Sequence, residues 1–324
     1  MLRYIGKRLL QMIPILLIVA ILIFTMMQFV PGDPVQIMLG DSATPMQIEE
    51  VREEMGLNDP FVVKLFNFVK DLLHFDFGKS YMTRTNVVDE LMVRFPNTVI
   101  IAAMSVIFCV VCGVPIGIRC ALHADRLEDR IWMFLTLLAS SMPGFWLALL
   151  LVLLFSVQLN LLPSSGVGGP EYFILPVLAN SIGSLASIAR QTRSSMLEVI
   201  RADFVTTARS KGLSERDVIW KHALPNALIP IITITGSNFG MLLGGTSIIE
   251  SIFSIPGIGM YMLNGINSRD YPVVQACIIY IAVTFSVIML ITDLVYAFVD
   301  PRIKAQYMHR SKKASTSQPE KKAA

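Results

Sequence analysis

Uncharged hydrogen-bonding side chains recur along one apolar segment in the second half of this 324-residue chain. Asn180, Ser184, Ser187 and Gln191 follow the spacing i, i+4, i+7 and i+11, which places them on one face of a helix. Such a stripe of amides and hydroxyls can hydrogen-bond a solute along a translocation path. It can equally bond a neighbouring helix, at about 0.6 kcal/mol per contact. The spacing alone favours neither interpretation over the other.

The chain carries no recognisable catalytic or metal-binding motif. Its four histidines are scattered, and its apolar segments contain no paired carboxylates, no G-x-S-x-G and no H-E-x-x-H sequence. The four cysteines lie in or beside apolar runs, with no histidine at a metal-ligand spacing. We therefore predict a protein that is not an enzyme and that binds no metal or cofactor itself.

The composition is typical of an integral membrane protein. Hydrophobic residues make up 54% of the chain and charged residues 16%, whereas a soluble domain has about 25% charged residues. A membrane-spanning helix needs about 20 apolar residues, and six stretches without Asp, Glu, Lys or Arg are long enough or nearly so. The predicted spans cover residues 9–30, 99–118, 131–158, 172–189, 228–249 and 271–292. The expected fold is an all-α membrane protein with six transmembrane helices.

The distribution of basic residues predicts the orientation. Lys and Arg concentrate before residue 9, in 119–130, in 190–221 and after residue 301, which together hold 20 of the 27. Short loops that are rich in Lys and Arg stay in the cytoplasm. We therefore expect both termini to be cytoplasmic.

The chain divides into four predicted regions. Residues 1–30 form the cytoplasmic tip and first span, and residues 31–94 form a small, acidic, helical external domain. Within that domain a capping box begins a helix at Thr44, and a second helix is expected from about residue 60 to 74. Residues 95–300 hold the remaining spans, and the polar tail 301–324 is expected to be disordered.

The longest cytoplasmic loop, residues 190–226, contains a predicted helical hairpin. Gly212 permits the positive φ of a helix end, Ser214 can cap a following helix, and Pro225 is expected to close the unit. A bent hairpin with a basic face is a shape that a cytoplasmic partner can hold. From physics alone, a solvated basic loop explains it as well.

The residue pattern of this loop resembles the EAA motif of ABC importer permeases. The residues that match are Ala208, Gly212, Leu224 and Pro225. Thr206, Thr207 and His222 stand where the general motif has Glu, Ala and Ile. The form T-A-R-x-K-G-L followed by H-x-L-x-N-A is similar to the peptide/nickel subclass.

Motifs elsewhere extend the resemblance over nearly the whole chain. They are Pro31-Gly32-Asp33-Pro34, Asp76-Phe77-Gly78-x-Ser80, Arg94-Phe95-Pro96-Asn97-Thr98, Glu250-x-Ile252-Phe253-x-x-Pro256-Gly257-x-Gly259, Arg269-Asp270-Tyr271-Pro272-x-x-Gln275 and Asp300-Pro301-Arg302. In this order and spacing they resemble the B-type permease subunit of dipeptide, oligopeptide or nickel ABC importers. The resemblance implies a type I ABC importer permease fold in the bacterial inner membrane.

The resemblance also implies partners and residue roles. The partners would be a second homologous permease, two cytoplasmic ABC ATPases that bind ATP and Mg, and an external solute-binding protein; no nucleic acid is expected. The ATPase-coupling residues would be Thr206, Thr207, Ala208, Arg209, Lys211, Gly212, Leu213, His222, Leu224 and Pro225. Arg209 and Lys211 would face the ATPase groove or its acidic rim.

Two alternatives remain open at this point. Within the class, the solute could be nickel or a metal chelate rather than a short peptide. From a different class, a stand-alone secondary transporter would predict inverted repeats with unwound helices in both halves. The sequence shows no such internal symmetry.

Overall fold

Apolar residues at helical spacing dominate the chain, and helices dominate the structure. The computed structural model describes residues 2–30, 32–40 and 43–299, and within these ranges it contains no named strand. The predicted tail 301–324 and the Asp300-Pro301-Arg302 motif lie outside the described residues, as does Pro31.

The helices fall into two groups along the chain. The first group is α1 Leu2–Gln28, α2 Pro34–Leu39, α3 Pro45–Glu54, α4 Phe61–Leu73, α5 Val87–Leu122, α6 Leu127–Ser141 and α7 Gly144–Leu151, the last continued by a π-helical turn Val152–Gln158. The second group is α8 Glu171–Ile200, α9 Asp203–Ser210, α10 Glu215–Asp217, a π-helical turn Val218–Ala223, α11 Leu224–Ile252, α12 Ile258–Asn267 and α13 Tyr271–Val299.

Among the described residues, five helical stretches are long and apolar enough to cross a membrane by themselves. They are Ile5–Gln28, Val87–Leu122, Glu171–Ile200, Glu215–Gly244 and Tyr271–Val295. A sixth span results if the two bent helices α6 and α7 count as one. The all-α membrane fold expected from the sequence is therefore confirmed.

The predicted span 131–158 is not one continuous helix. It consists of α6 and α7, which meet at an angle of 98°. Pro143 lies at the break and lacks the N–H that a continuous helix requires. Its ring also disfavours helical geometry at Met142, whose ψ is 128°. An uninterrupted apolar run therefore concealed a helix break.

The boundaries of the predicted loop 190–226 also differ from the structure. Helix α8 continues to Ile200, eleven residues beyond the predicted end of the fourth span. At the other end, Pro225 does not close a separate hairpin, because the helical stretch continues from the π-helical turn through Pro225 into α11. Helix α10, the π-helical turn and α11 follow one another without a break.

Small residues allow close helix packing inside the bundle. A Cβ added to Gly117 of α5 would lie 2.5 Å from the carbonyl oxygen of Ala189 in α8. A Cβ on Gly240 of α11 would overlap the ring of Phe285 in α13. Gly244 differs, because a Cβ there would meet nothing within 4 Å. Gly117 therefore lets the backbones of α5 and α8 approach closely, as is usual for membrane helices, and Gly240 leaves room for the Phe285 ring.

A buried carboxylate joins three helices at the end of α11. Glu250 is fully buried, and Thr98 Oγ1 of α5 donates a hydrogen bond to its Oε1 at 2.7 Å. The backbone N–H of Met260 in α12 donates to Oε2 at 2.8 Å, and Ile258 N donates to Thr98 Oγ1 at 2.9 Å. A Cβ at Gly257 would overlap this carboxylate, so the P-G-x-G sequence leaves room for it.

Residues 43–86 form a helical cap over the opposite end of the bundle from the 203–223 segment. The predicted capping box is present: Thr44 Oγ1 accepts from Gln47 N, and Gln47 Oε1 accepts from Thr44 N at 2.9 Å.

Buried Asp270, just before α13, accepts from Ser80 Oγ and from Tyr81 N at 3.1 Å. Burial, together with this carboxylate, raises the pKa of Tyr81 to about 12.

Candidate functional sites

The segment 203–223 folds as a helical hairpin. Helix α9 ends before Gly212, whose φ of +78° lies in the left-handed region that favours glycine. Ser214 then caps the next helix, since its Oγ accepts from Asp217 N at 3.2 Å. A Cβ at Gly212 would meet nothing within 4 Å, so backbone conformation rather than space accounts for the glycine.

A buried apolar cluster holds the hairpin against the ends of α5 and α8. Val205 and Ala208 of α9 pack with Val218 and Ile219 of the π-helical turn. The other buried members are Ile118, Ala121, Met196, Ala223, Ala227 and Ile231. Of the predicted coupling residues, Ala208 is therefore part of the hairpin core rather than of its surface.

Ion pairs across and along the hairpin occupy several of its charges. Arg209 Nε donates to Glu215 Oε1 at 2.7 Å, which ties α9 to α10 across the turn. Lys221 Nζ lies 2.7 Å from Asp217 Oδ1. Lys211 is exposed on the turn itself. Arg209 therefore braces the hairpin, whereas Lys211 lies where a partner can reach it.

The remaining predicted coupling residues divide between surface and base. Thr206 and Thr207 are exposed on α9, and Pro225 is exposed at the start of α11. His222 and Leu224 are half-buried at the base of the hairpin.

Three large apolar side chains of the hairpin are exposed. Phe204 is 45% exposed, Leu213 40% and Trp220 56%. Leu213 belongs to the motif residues, but sequence reasoning missed Phe204 and Trp220. The available signal was an aromatic residue within a basic, polar loop. Aromatic side chains of this kind dominate the binding energy of many protein interfaces.

A cavity of about 470 Å³ lies where the α6–α7 break faces α8 and α11. It is lined by Met142, Gly144, Phe145, Ala179, Asn180, Ile182, Gly183, Ser184, Ser187, Asn238, Met241, Ile248 and Ile249. Its polar groups are amides and hydroxyls, and no charged side chain is among these lining residues.

The structure separates the members of the predicted polar stripe. Asn180, Ser184 and Ser187 line the cavity, whereas Gln191 does not. Gln191 Nε2 instead donates to Ser195 Oγ at 3.1 Å within α8. Asn180 fits both interpretations, solute contact and helix packing, because it lines the cavity and its Nδ2 also donates to Ser105 Oγ of α5 at 3.2 Å.

Asn238 of α11 is a cavity residue that sequence reasoning missed. Its side chain is 6% exposed, and its Nδ2 has no hydrogen-bond partner among the described residues. A buried donor without a partner costs about 1–3 kcal/mol, so such a group needs an explanation. The available signal was an asparagine in the middle of an apolar span, where polar residues are functional candidates.

Comparisons with known families match nearly the whole chain. Residues 113–305 match the family described as binding-protein-dependent transport system inner membrane component. Residues 1–102 match the family described as the N-terminal part of the same membrane component.

Curated relatives of full length support the match. The glutathione transport system permease protein GsiC of Salmonella choleraesuis (strain SC-B67) is 40% identical over 94% of this chain and 99% of its own length. The protein of the same name from Escherichia coli (strain K12) is 38% identical over the same shares. These proteins are subunits of transport systems, which confirms the prediction of a transport subunit without its own ATPase site.

Solved structures support the fold. A chain of the MetNI methionine ABC transporter in an inward-facing conformation superposes with a TM-score of 0.56 at 16% identity. The match covers 65% of this chain and 96% of that chain. The predicted type I ABC importer permease fold is thereby confirmed, and the stand-alone secondary transporter alternative is not supported. The chain belongs to the family of binding-protein-dependent transport system inner membrane components, and it is a multi-pass permease subunit of an ABC importer.

Proposed function

We propose that this chain forms, together with a second homologous permease, the membrane path for short peptides. The assignment of a peptide as solute is supported by the 40% identity, over 94% of the chain, to permeases named for glutathione transport. Glutathione is a tripeptide. An external solute-binding protein delivers the peptide, and two cytoplasmic ABC ATPases supply the energy.

The cavity supports a peptide as the solute. Its volume of about 470 Å³ lies within the range of small-ligand sites, about 300–1,000 Å³. Amides and hydroxyls can exchange hydrogen bonds with peptide groups, and the uncharged lining holds neither terminus of a zwitterion tightly. Weak binding suits a conduit, because a solute must leave as readily as it enters.

The 203–223 hairpin is the proposed contact with the ATPases. ATP and Mg are bound by those partners, and this chain binds neither. The exposed apolar trio Phe204, Leu213 and Trp220 supplies the contact surface, and Lys211 supplies a charge beside it. This role places the hairpin and both termini in the cytoplasm, in agreement with the distribution of basic residues.

The continuity of α10 with α11 links the hairpin to the cavity. Asn238 lies 24 residues beyond Ser214 on one unbroken helical stretch, a distance of about 36 Å. Displacement of the hairpin by closing ATPases therefore moves the helix that carries Asn238. This is a direct route from ATP hydrolysis to the translocation path, of the rigid-element kind that transporters use.

The test is transport by the purified assembly. The tagged chain is isolated in gentle detergent, its partners are identified by mass spectrometry, and the assembly is reconstituted in proteoliposomes with its binding protein. We expect ATP-dependent uptake of radiolabelled glutathione or dipeptides. Uptake of a nickel–histidine chelate without peptide uptake would refute the peptide assignment. Recovery of the chain without an ATPase would refute the proposed coupling.

A further inference from the structure

Helix α4 carries two apolar faces, and only one of them is covered. Its covered face packs on α1 and α13, where Phe68 and Leu72 join the cluster around Ala20, Ile23 and Met27. A neighbouring face of the same helix carries Val62, Phe66 and Leu73, each at least 69% exposed. These three residues follow the spacing i, i+4 and i+11, so they form one stripe.

Most polar residues of α4 lie on the remaining side. On a helical wheel at 100° per residue, Lys64, Asn67 and Asp71 group together on the side opposite the exposed stripe. The apolar residues of α4 therefore cover a wider arc of the helix than its contact with the bundle buries. Burial against α1 and α13 accounts for only part of that apolar arc.

The position of α4 along α1 places the exposed stripe at the membrane boundary. The ring of Phe24 in α1 lies 5.1 Å from the ring of Phe68 and 5.7 Å from that of Phe61. Phe24 precedes the end of the span at Gln28 by four residues, or about 6 Å along the axis. Lys64 Nζ of α4 also reaches Gln28 Oε1 at 3.3 Å.

Helix α4 packs on the outer part of α1 through two of its phenylalanines. Phe61 and Phe68 are two helical turns apart, about 10 Å, and yet both contact the same ring of Phe24. Lys64, which reaches Gln28 at the end of α1, lies on the side of α4 opposite the exposed stripe, so the stripe points back along α1 toward the interior of the span. Only 17% of the most apolar part of α1 is buried within this chain, so most of the apolar surface of α1 beside α4 is uncovered.

We infer that α4 is an interfacial membrane helix that inserts Val62, Phe66 and Leu73 into the lipid leaflet at this end of α1. An amphipathic helix of this kind places its apolar face about 5–10 Å into the boundary between head groups and acyl chains. The depth of Phe24 within its span matches that range. The exposed Lys70, at the edge of the stripe beside Phe66, then extends its amine to the head groups while its methylenes follow the apolar surface.

The inference is tested by fluorescence quenching on the reconstituted transporter complex. Tryptophan is introduced by Phe66→Trp or, as the matched control one residue along the helix, by Asn67→Trp. Each complex is placed in nanodiscs of phosphatidylcholine, with or without bromine on acyl carbons near the head group. Trp132, Trp146 and Trp220 contribute the same background to both variants.

We expect brominated lipid to quench the added emission at position 66 at least about twofold more strongly than at position 67, because only residue 66 faces the acyl chains. Equal quenching at the two positions would overturn the inference. The inference would also be overturned if brominated lipid did not quench the emission at position 66 and addition of the solute-binding protein changed it. That result would assign the stripe to a protein partner.

Discussion

Arg193 and Asp129 form a two-bond ion pair that joins α8 to the first turn of α6. Arg193 Nε donates to Asp129 Oδ1 at 2.7 Å, and Nη2 donates to Oδ2 at 2.6 Å. The Asp129 side chain is only 3% exposed, and its Oδ2 also accepts from Asp125 N at 3.0 Å. The pair therefore anchors the bent α6–α7 unit to the helix that carries the polar stripe.

Removal of one partner of this pair is expected to destabilise the chain. Asp129→Ala leaves the Arg193 guanidinium without its carboxylate, which for a largely buried pair costs about 3–5 kcal/mol. Thermal unfolding of the purified permease should show a lower midpoint. The double variant Asp129→Leu with Arg193→Leu should recover part of the loss, because it leaves no unpaired charge. A double variant that is less stable than Asp129→Ala would contradict this explanation.

Whether a substitution at Gly212 is tolerated should depend on the ability of the new residue to adopt a positive φ and not on its size. Gly212→Val forces a β-branched residue into positive φ, at about 1–2 kcal/mol, and should lower ATP-dependent uptake by disturbing the hairpin turn. Gly212→Asn should retain most of the uptake, because Asn adopts this conformation more readily. Similar activities of the two variants would show that the conformation of the turn has no part in transport.

Trp220 should contribute strongly to the association with the ATPases. Truncation of an exposed aromatic anchor in an interface typically costs about 2 kcal/mol, which is roughly a 30-fold weaker affinity. Trp220→Ala should therefore lose the ATPase subunits during purification at dilutions that the parent complex survives. Trp132→Ala, on α6, is the matched control and should keep them. Equal retention by both variants would exclude Trp220 from the interface.

Asn238 should affect the rate of solute passage. Asn238→Leu removes the amide of a residue that lines the cavity, and loss of one hydrogen bond to the solute, of about 0.5–1.5 kcal/mol, predicts a two- to tenfold slower uptake of glutathione. Gln191→Leu, on the predicted stripe but outside the cavity, should leave uptake near the parent rate. The idea fails if the Gln191 variant is slowed as much as the Asn238 variant.

Features of this chain that have a local physical cause can be predicted from its sequence. Span positions follow from runs of apolar residues, because each helix must satisfy its own backbone in lipid. The turn at Gly212 and the caps at Thr44 and Ser214 follow from the conformations and hydrogen bonds of single residues and their near neighbours. The family motifs added the subunit class, which the comparisons then confirmed.

Side-chain environments that depend on distant residues could not be predicted from the sequence. A polar stripe at helical spacing cannot reveal which of its members face a cavity, since that depends on how α8 packs against α6, α7 and α11. Gln191 bonds within its own helix, whereas Asn238, from a different span, faces the cavity. Arg209 likewise finds its partner Glu215 only once the hairpin has folded.

The sequence by itself determined that this chain is a helical membrane permease, because hydropathy, glycine conformation and motif order are properties of short segments. The tertiary structure alone decided the 98° bend between α6 and α7, the unbroken passage from α10 into α11, and the residues that share one cavity. Pro143 and Pro225 illustrate the reason. The same residue type interrupts one apolar run and lies within an unbroken helical stretch in the other, so the residue type alone does not determine where a helix ends.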